Sequence, residues 1–117
     1  MKNVEMQVEM AGPKKDIAVI RVYGYVDSDT SRSVSKFLED VIKSGHYRII
    51  FDLERTEYIS SAGWGIFIGE VRSLRENGGD LKLAGMTPEV EEIFKMLEFF
   101  NVLKSFDTVK AAISDYA

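Results

Sequence analysis

The sequence predicts a single α/β domain over residues 1–117: a mixed, mostly parallel sheet of four to five strands with about four helices packed on it. Three observations carry this. Ile49, Ile50, Phe51 and Leu53 form an apolar run of strand length, as expected of a central strand covered on both faces. Val4, Met6, Val8 and Met10 alternate with Glu5, Gln7 and Glu9, the period of a strand with one wet face. After that opening, segments of strand and helix periodicity take turns to the end of the chain.

The alternating segment reads as an edge strand. A turn at 11–16 joins it to a second strand, Ile17 to Tyr23, so the two form a hairpin. Gly24 to Thr30 is a loop rich in capping residues. From about Ser31 to Ser44, Val34, Phe37, Leu38, Val41 and Ile42 fit one helical face, and Gly45 ends it. His46 lies in the linker beyond, with no carboxylate or nucleophile paired to it in the pattern.

Residues 54–61 read as the loop leaving the central strand, and a helix follows to Asn77. Gly78-Gly79-Asp80 turns the chain into a short strand, Leu81 to Ala84. Thr87, Pro88, Glu89 and Glu91 make a full set of helix-start signals. Val90, Ile93, Phe94 and Leu97 give that helix its buried stripe, and Phe99 and Phe100 read as core plugs. Val102 to Phe106 suits a last strand, and Asp107 or Thr108 caps a final helix bearing Val109, Ala112, Ile113 and Tyr116.

The helix after the central strand carries two stripes. Trp64, Phe67, Ile68, Val71 and Leu74 make an apolar face, while Ala62, Gly65 and Gly69 lie on roughly the opposite side, where small residues allow another backbone to come close. Either Ser60 or Ser61 can serve as its N-cap. The same spot, with free N–H groups and the positive end of the helix dipole, also suits a phosphate, bound or covalently attached. The pattern leaves both readings open.

Composition removes several classes of function. The 117 residues are 45% hydrophobic, enough for one core without staples. There is no cysteine and one histidine, which excludes thiol chemistry and thiolate metal sites. A net charge of -4 argues against nucleic acid or an anionic membrane as the main partner. No apolar run is long enough to span a membrane and no signal-peptide pattern opens the chain, so the expectation is a cytoplasmic protein.

At this point the residues resemble a known family. Phe51-Asp52-Leu53, the run Tyr58-Ile59-Ser60-Ser61-Ala62-Gly63-Trp64-Gly65, and Gly78-Gly79 before a short strand are similar to the signature of bacterial anti-sigma factor antagonists, the STAS domain. Val22-Tyr23-Gly24-Tyr25-Val26-Asp27 and the stretch Met96 to Leu103 extend the likeness over nearly the whole chain. The resemblance implies a switch protein, not an enzyme, without metal or cofactor. Its partners would be an anti-sigma factor that is also a serine kinase, bound by the unphosphorylated form so that the sigma factor is freed, and a phosphatase that reverses phosphorylation. Aligned on Gly63, the phosphoacceptor is Ser61, with Ser60 the second choice. Asp27, Ser60, Ser61, Ala62, Gly63 and Trp64 would form the partner-binding surface.

Two alternatives remain beside it. One is an unphosphorylated STAS interaction subunit of a transporter or signalling assembly, in which Ser61 only caps the helix. The other is a small enzyme or nucleotide-binding domain built on Gly63, Gly65 and Gly69, with Asp52, Glu54 and Glu57 as a carboxylate cluster. That glycine spacing matches neither the P-loop nor the dinucleotide fingerprint, and the carboxylates read as solvated loop charges.

Overall fold

The computed structural model describes residues 3–116. Strands β1 (Val4–Ala11) and β2 (Ile17–Val26) form an antiparallel hairpin in unbroken register, from Val4 opposite Gly24 to Ala11 opposite Ile17. β2 is long enough to serve two further neighbours. Its first half pairs in parallel with β3 (Arg48–Asp52), and its last three residues pair with β4 (Thr56–Ile59). β5 (Asp80–Ala84) and β6 (Lys104–Phe106) continue the sheet in parallel beyond β3, giving the order β1-β2-β3-β5-β6 with β4 beside the end of β2. The helices are α1 (Ser31–Lys43), α2 (Ser61–Glu76), α3 (Pro88–Met96) and α4 (Val109–Tyr116), with a 3-10 turn at Phe99–Asn101.

The mixed α/β sheet and the four helices are as the sequence predicts, but the described residues form six strands. The additional strand is β4, which sequence patterning leaves inside a loop, and β2 runs on to Val26 instead of stopping at Tyr23. Only two of the four β4 residues, Thr56 and Ile59, are buried. They are separated by exposed Glu57 and Tyr58, so there is no period-two signal to read. What fixes the strand is tertiary: the Thr56 hydroxyl donates to the Val22 carbonyl at 2.8 Å, and a register shift at Gly24/Tyr25 carries β2 past the bend.

Strand parity explains the central apolar run. Ile49, Phe51 and Leu53 point toward the layer of α1, α2 and α3, together with Ala18, Ile20, Val22, Leu81 and Leu83. Ile50 points the other way and, with Ile17, Val19 and Ala84, is covered by Ala112 of α4. On the larger side, α2 anchors itself with aromatic rings. Phe67 lies 4.6 Å from Phe51, and Trp64 lies 5.9 Å from Phe67, 5.8 Å from Phe94 and 5.2 Å from Phe99. Burial of each such side chain contributes roughly 1.5–3 kcal/mol. Phe99 thus plugs the core as expected, but Phe100 does not. It is 53% exposed, beside exposed Met96 and Leu97 at the end of α3.

One charged side chain lies under α4. Lys82, in the middle of β5, is 4% exposed. Its ammonium bonds Asp115 at 2.5 Å and sits 3.8 Å from the centre of the Tyr116 ring. The Tyr116 hydroxyl reaches between β3 and β5, close to the carbonyls of Ile49 and Asp80, and accepts from the Ile49 amide. Burial pushes its pKa up, with Asp80 adding to the shift, so the phenol stays protonated.

Candidate functional site at the start of α2

The site begins with strand register. Val26 of β2 is paired with Ile59 of β4, and the Ser60 amide donates to the Val26 carbonyl at 2.8 Å. Asp27 and Ser60 therefore leave the sheet side by side, and the starts of α1 and α2 share the carboxyl end of parallel strands, where such sheets collect functional groups.

Ser60 has an extended backbone (φ -80°, ψ 174°) and is the N-cap of α2. Its hydroxyl accepts from the Gly63 amide at 3.4 Å, and its carbonyl takes the Trp64 amide. Ser61 is the first helical residue; its side chain is exposed and its hydroxyl makes no hydrogen bond within the described residues. The two adjacent serines, indistinguishable by type, thus have different tasks. Ala62 is exposed next to Ser61.

Gly63 and Trp64 turn inward, so the structure separates them from the surface that the resemblance assigned to a partner. Gly63 is buried, and a Cβ there would stand 2.7 Å from Val26 Cγ1 and 2.8 Å from Ile59 Cγ2. Its missing side chain lets the first turn of α2 press against the ends of β2 and β4. Trp64 is 2% exposed within the aromatic core, and its Nε1 is the one buried side-chain polar atom without a partner among the described residues. Both residues position the site without presenting themselves at it.

Gly65 and Gly69 behave in the opposite way. A Cβ at either would meet nothing within 4 Å. Their smallness serves no packing inside this domain, contrary to a close backbone approach within the fold. Together with Ser61 and Ala62 they leave an open, nearly side-chain-free strip along the solvent side of α2.

Asp27 is committed to its own loop. Oδ1 accepts from the amides of Asp29 and Thr30 at 2.9 and 3.1 Å, while the Asp27 amide donates to Thr30 Oγ1 at 3.0 Å. This reciprocal arrangement fixes the turn into α1 and is helped by the Thr30 hydroxyl donating to the Tyr25 carbonyl at 2.6 Å. Asp27 is placed at the site but half-buried and already hydrogen-bonded.

The other carboxylates do not assemble into a catalytic group. Asp52 is not a solvated loop charge: it is buried at the end of β3, with Oδ2 3.3 Å from Arg21 Nε and Oδ1 accepting the Glu54 amide. Glu54 and Glu57 are exposed. Among the described residues no group of three or more acidic or histidine side chains could hold a metal, and the glycines of interest lie inside a helix where they cannot form a phosphate-cradling loop. Nor is any described helix long and apolar enough to cross a membrane.

Comparison with known proteins agrees with this geometry. The family model of the STAS domain matches residues 8–112, and the chain belongs to that family, the fold of the anti-sigma factor antagonists. The BtrV protein of Bordetella bronchiseptica, which carries a provisional name as an anti-sigma factor antagonist, is 29% identical over 93 residues, 80% of each chain. The anti-sigma F factor antagonist of Paenibacillus polymyxa is 21% identical over 113 residues, 96% of each. Among solved structures, the anti-sigma factor antagonist SpoIIAA in its unphosphorylated form superposes with a TM-score of 0.70 at 24% identity, covering 95% of this chain and 96% of that one. The Bacillus cell fate determinant SpoIIAA in the phosphorylated form matches with the same score and identity, over 97% of this chain and 100% of that one.

Proposed function

We propose that the protein is an anti-sigma factor antagonist whose binding is switched by phosphorylation of Ser61. In the unphosphorylated state it binds an anti-sigma factor that is also a serine kinase, and the sigma factor is released. Phosphorylation ends that binding, and a serine phosphatase restores it. The observation that carries this reading is the division of labour between two serines. Ser60 is held as the cap of α2, while the Ser61 hydroxyl projects unbonded into solvent one residue later. A kinase needs an accessible hydroxyl whose loss leaves the helix intact.

The energetics fit a switch. A phosphoryl group on Ser61 adds about -1.5 to -2 charges at a helix start, where the macrodipole favours it, so the domain survives. A partner covering Ser61 and the bare strip of Gly65 and Gly69 would instead have to bury a dianion. A loss of about 3–4 kcal/mol already lowers affinity several-hundredfold.

Mass analysis of the protein from its own cells, with and without phosphatase treatment, tests the proposal. A removable phosphate on Ser61 is expected. A phosphate on Ser60 would move the acceptor to the capping residue, and no phosphate under any growth condition would leave the unphosphorylated interaction subunit as the better reading.

A further inference from the structure

The second surface of interest lies at the far side of the sheet, at β1. Among the described residues β1 has one strand neighbour, β2, and its other edge is open. The register shows which backbone groups that edge presents. The Tyr25 amide donates to the Asn3 carbonyl, so residues at odd positions of β1 bond to β2 and those at even positions turn their N–H and C=O groups outward. Val4, Met6, Val8 and Met10 therefore offer a row of donors and acceptors to an added strand.

Natural sheets normally blunt such an edge with a bulge, a proline, charged side chains or a short strand, and the charges on β1 are both acidic, Glu5 and Glu9, which repel an acidic strand and admit a basic one. β6, at the opposite edge, is three residues long and carries exposed Lys104. β1 has eight residues, no proline, no lysine and no break in register. Its two side-chain rows are also unequal. On the helix side Val8, 46% exposed, and Met10 continue into a groove lined by Phe37 and Val41 of α1. On the other side Glu5, Gln7 and Glu9 are exposed, and Arg21 pairs with Glu9 at 2.8 Å while Glu5 has no ion pair among the described residues.

From these features we infer that the free edge of β1 docks an extended segment of a partner protein in which apolar and basic residues alternate. The added strand would hydrogen-bond to Val4, Met6, Val8 and Met10, place its apolar residues over the groove beside Phe37, and set its lysines or arginines next to Glu5 and Glu9. A second copy of this chain is disfavoured in the one two-fold register that engages all four outward-facing residues. Two-fold antiparallel pairing centred on Gln7 puts Glu5 opposite Glu9 twice, and like charges across a ladder are destabilising. This edge is distinct from the start of α2, so the proposal stands whether or not Ser61 is phosphorylated.

The test uses the full chain, labelled with nitrogen-15, and a capped heptapeptide of alternating lysine and valine, with its glutamate–valine counterpart as control. Saturable shifts and slowed amide exchange are expected at Val4, Met6, Val8 and Met10, with the glutamate peptide at least about tenfold weaker. Val8→Pro removes an outward-facing donor without breaking a bond to β2 and is expected to abolish binding. Should that variant disturb the spectrum elsewhere, Glu5→Lys keeps the backbone and sets a like charge beside the peptide's lysines, with the same expected loss. Equal binding of the two peptides, shifts confined to other surfaces, or no shifts at about millimolar peptide would overturn the proposal. So would a concentration-dependent dimer that protects the β1 amides.

Discussion

The Ser60 hydroxyl accepts the Gly63 amide at 3.4 Å, whereas the hydroxyl of Ser61, its immediate neighbour, is unbonded. Alanine substitutions should separate the two. Ser60→Ala removes a cap and, because the bond is long, should cost about 0.5–1 kcal/mol, at the lower end of the usual range. Ser61→Ala should change stability by less than about 0.5 kcal/mol. Urea denaturation of both variants measures the difference, and a larger loss for Ser61→Ala would reverse the roles given to the two serines.

Gly63 tests how tightly the start of α2 is seated. In an open helix Gly→Ala gains about 1 kcal/mol, but here the new methyl would meet Val26 and Ile59 well inside contact distance, with the Val26 carbonyl at 3.3 Å. Both neighbours are β-branched, with little rotamer freedom to give. Overpacking of this kind costs about 1–3 kcal/mol, so Gly63→Ala should be net destabilising and should shift the amide resonances of residues 60–64. An increase in stability would mean that the first turn is not pressed against the sheet.

Legibility in the sequence followed the range of the forces involved. α1 was readable because Val34, Leu38 and Val41 repeat on one face, and α3 because Thr87, Pro88 and two glutamates mark its start through local bonds. The burial of β3 on both faces was readable because a parallel strand needs apolar residues at every position. β4 was not, since its identity rests on a hydroxyl reaching Val22, thirty-four residues away. The stripe of Ala62, Gly65 and Gly69 reads as a place for another backbone, yet a Cβ at Gly65 or Gly69 meets nothing in this domain, and the glycine that does meet the sheet, Gly63, lies off that stripe. Asp52 reads as a loop charge in the sequence because its partner, Arg21, lies on another strand.

The Lys82–Asp115 pair predicts an acid-sensitive α4. The hydrogen bond from Lys82 holds the Asp115 carboxyl below its ordinary value, and Lys104 adds to the effect. A carboxylate with a depressed native pKa contributes stability that is present above its unfolded pKa and is lost as pH falls through the native one. The melting temperature of Asp115→Asn should therefore lie below that of the parent near neutrality, and the gap should close as pH falls below the ordinary carboxylate range. Lys82→Met added to Asp115→Asn removes both charges, so the double variant should recover part or all of the stability that Asp115→Asn alone loses near neutrality. A gap that persists in acid would show that Asp115 acts through packing and not through charge.

Tyr116 supplies an independent measure of how α4 is held. Its hydroxyl takes the Ile49 amide and lies 2.8 and 2.7 Å from the carbonyls of Ile49 and Asp80. Tyr116→Phe keeps the ring over Lys82 and deletes only the oxygen, leaving backbone groups at the β3–β5 seam without that partner. The expected cost is about 1–3 kcal/mol by denaturant unfolding, with faster amide exchange at Ile49. Unchanged exchange at Ile49 would place the seam's stability elsewhere.

Gly65 and Gly69 give the prediction in which stability and function part company. With nothing within 4 Å of a Cβ at either position, Gly65→Ala and Gly69→Ala should each stabilise α2 by about 0.5–1 kcal/mol, since alanine is the better helix former and has no neighbour to displace. If the bare strip receives a partner's backbone, the same methyl groups intrude on that contact, and binding to the proposed anti-sigma factor partner should weaken as the protein becomes more stable. Ser61→Asp should lose binding for the different reason of charge, with the fold intact. Melting curves and binding isotherms on the three variants separate these effects. Retained binding by Gly65→Ala and Gly69→Ala, with loss confined to Ser61→Asp, would restrict the partner's footprint to the first turn of the helix.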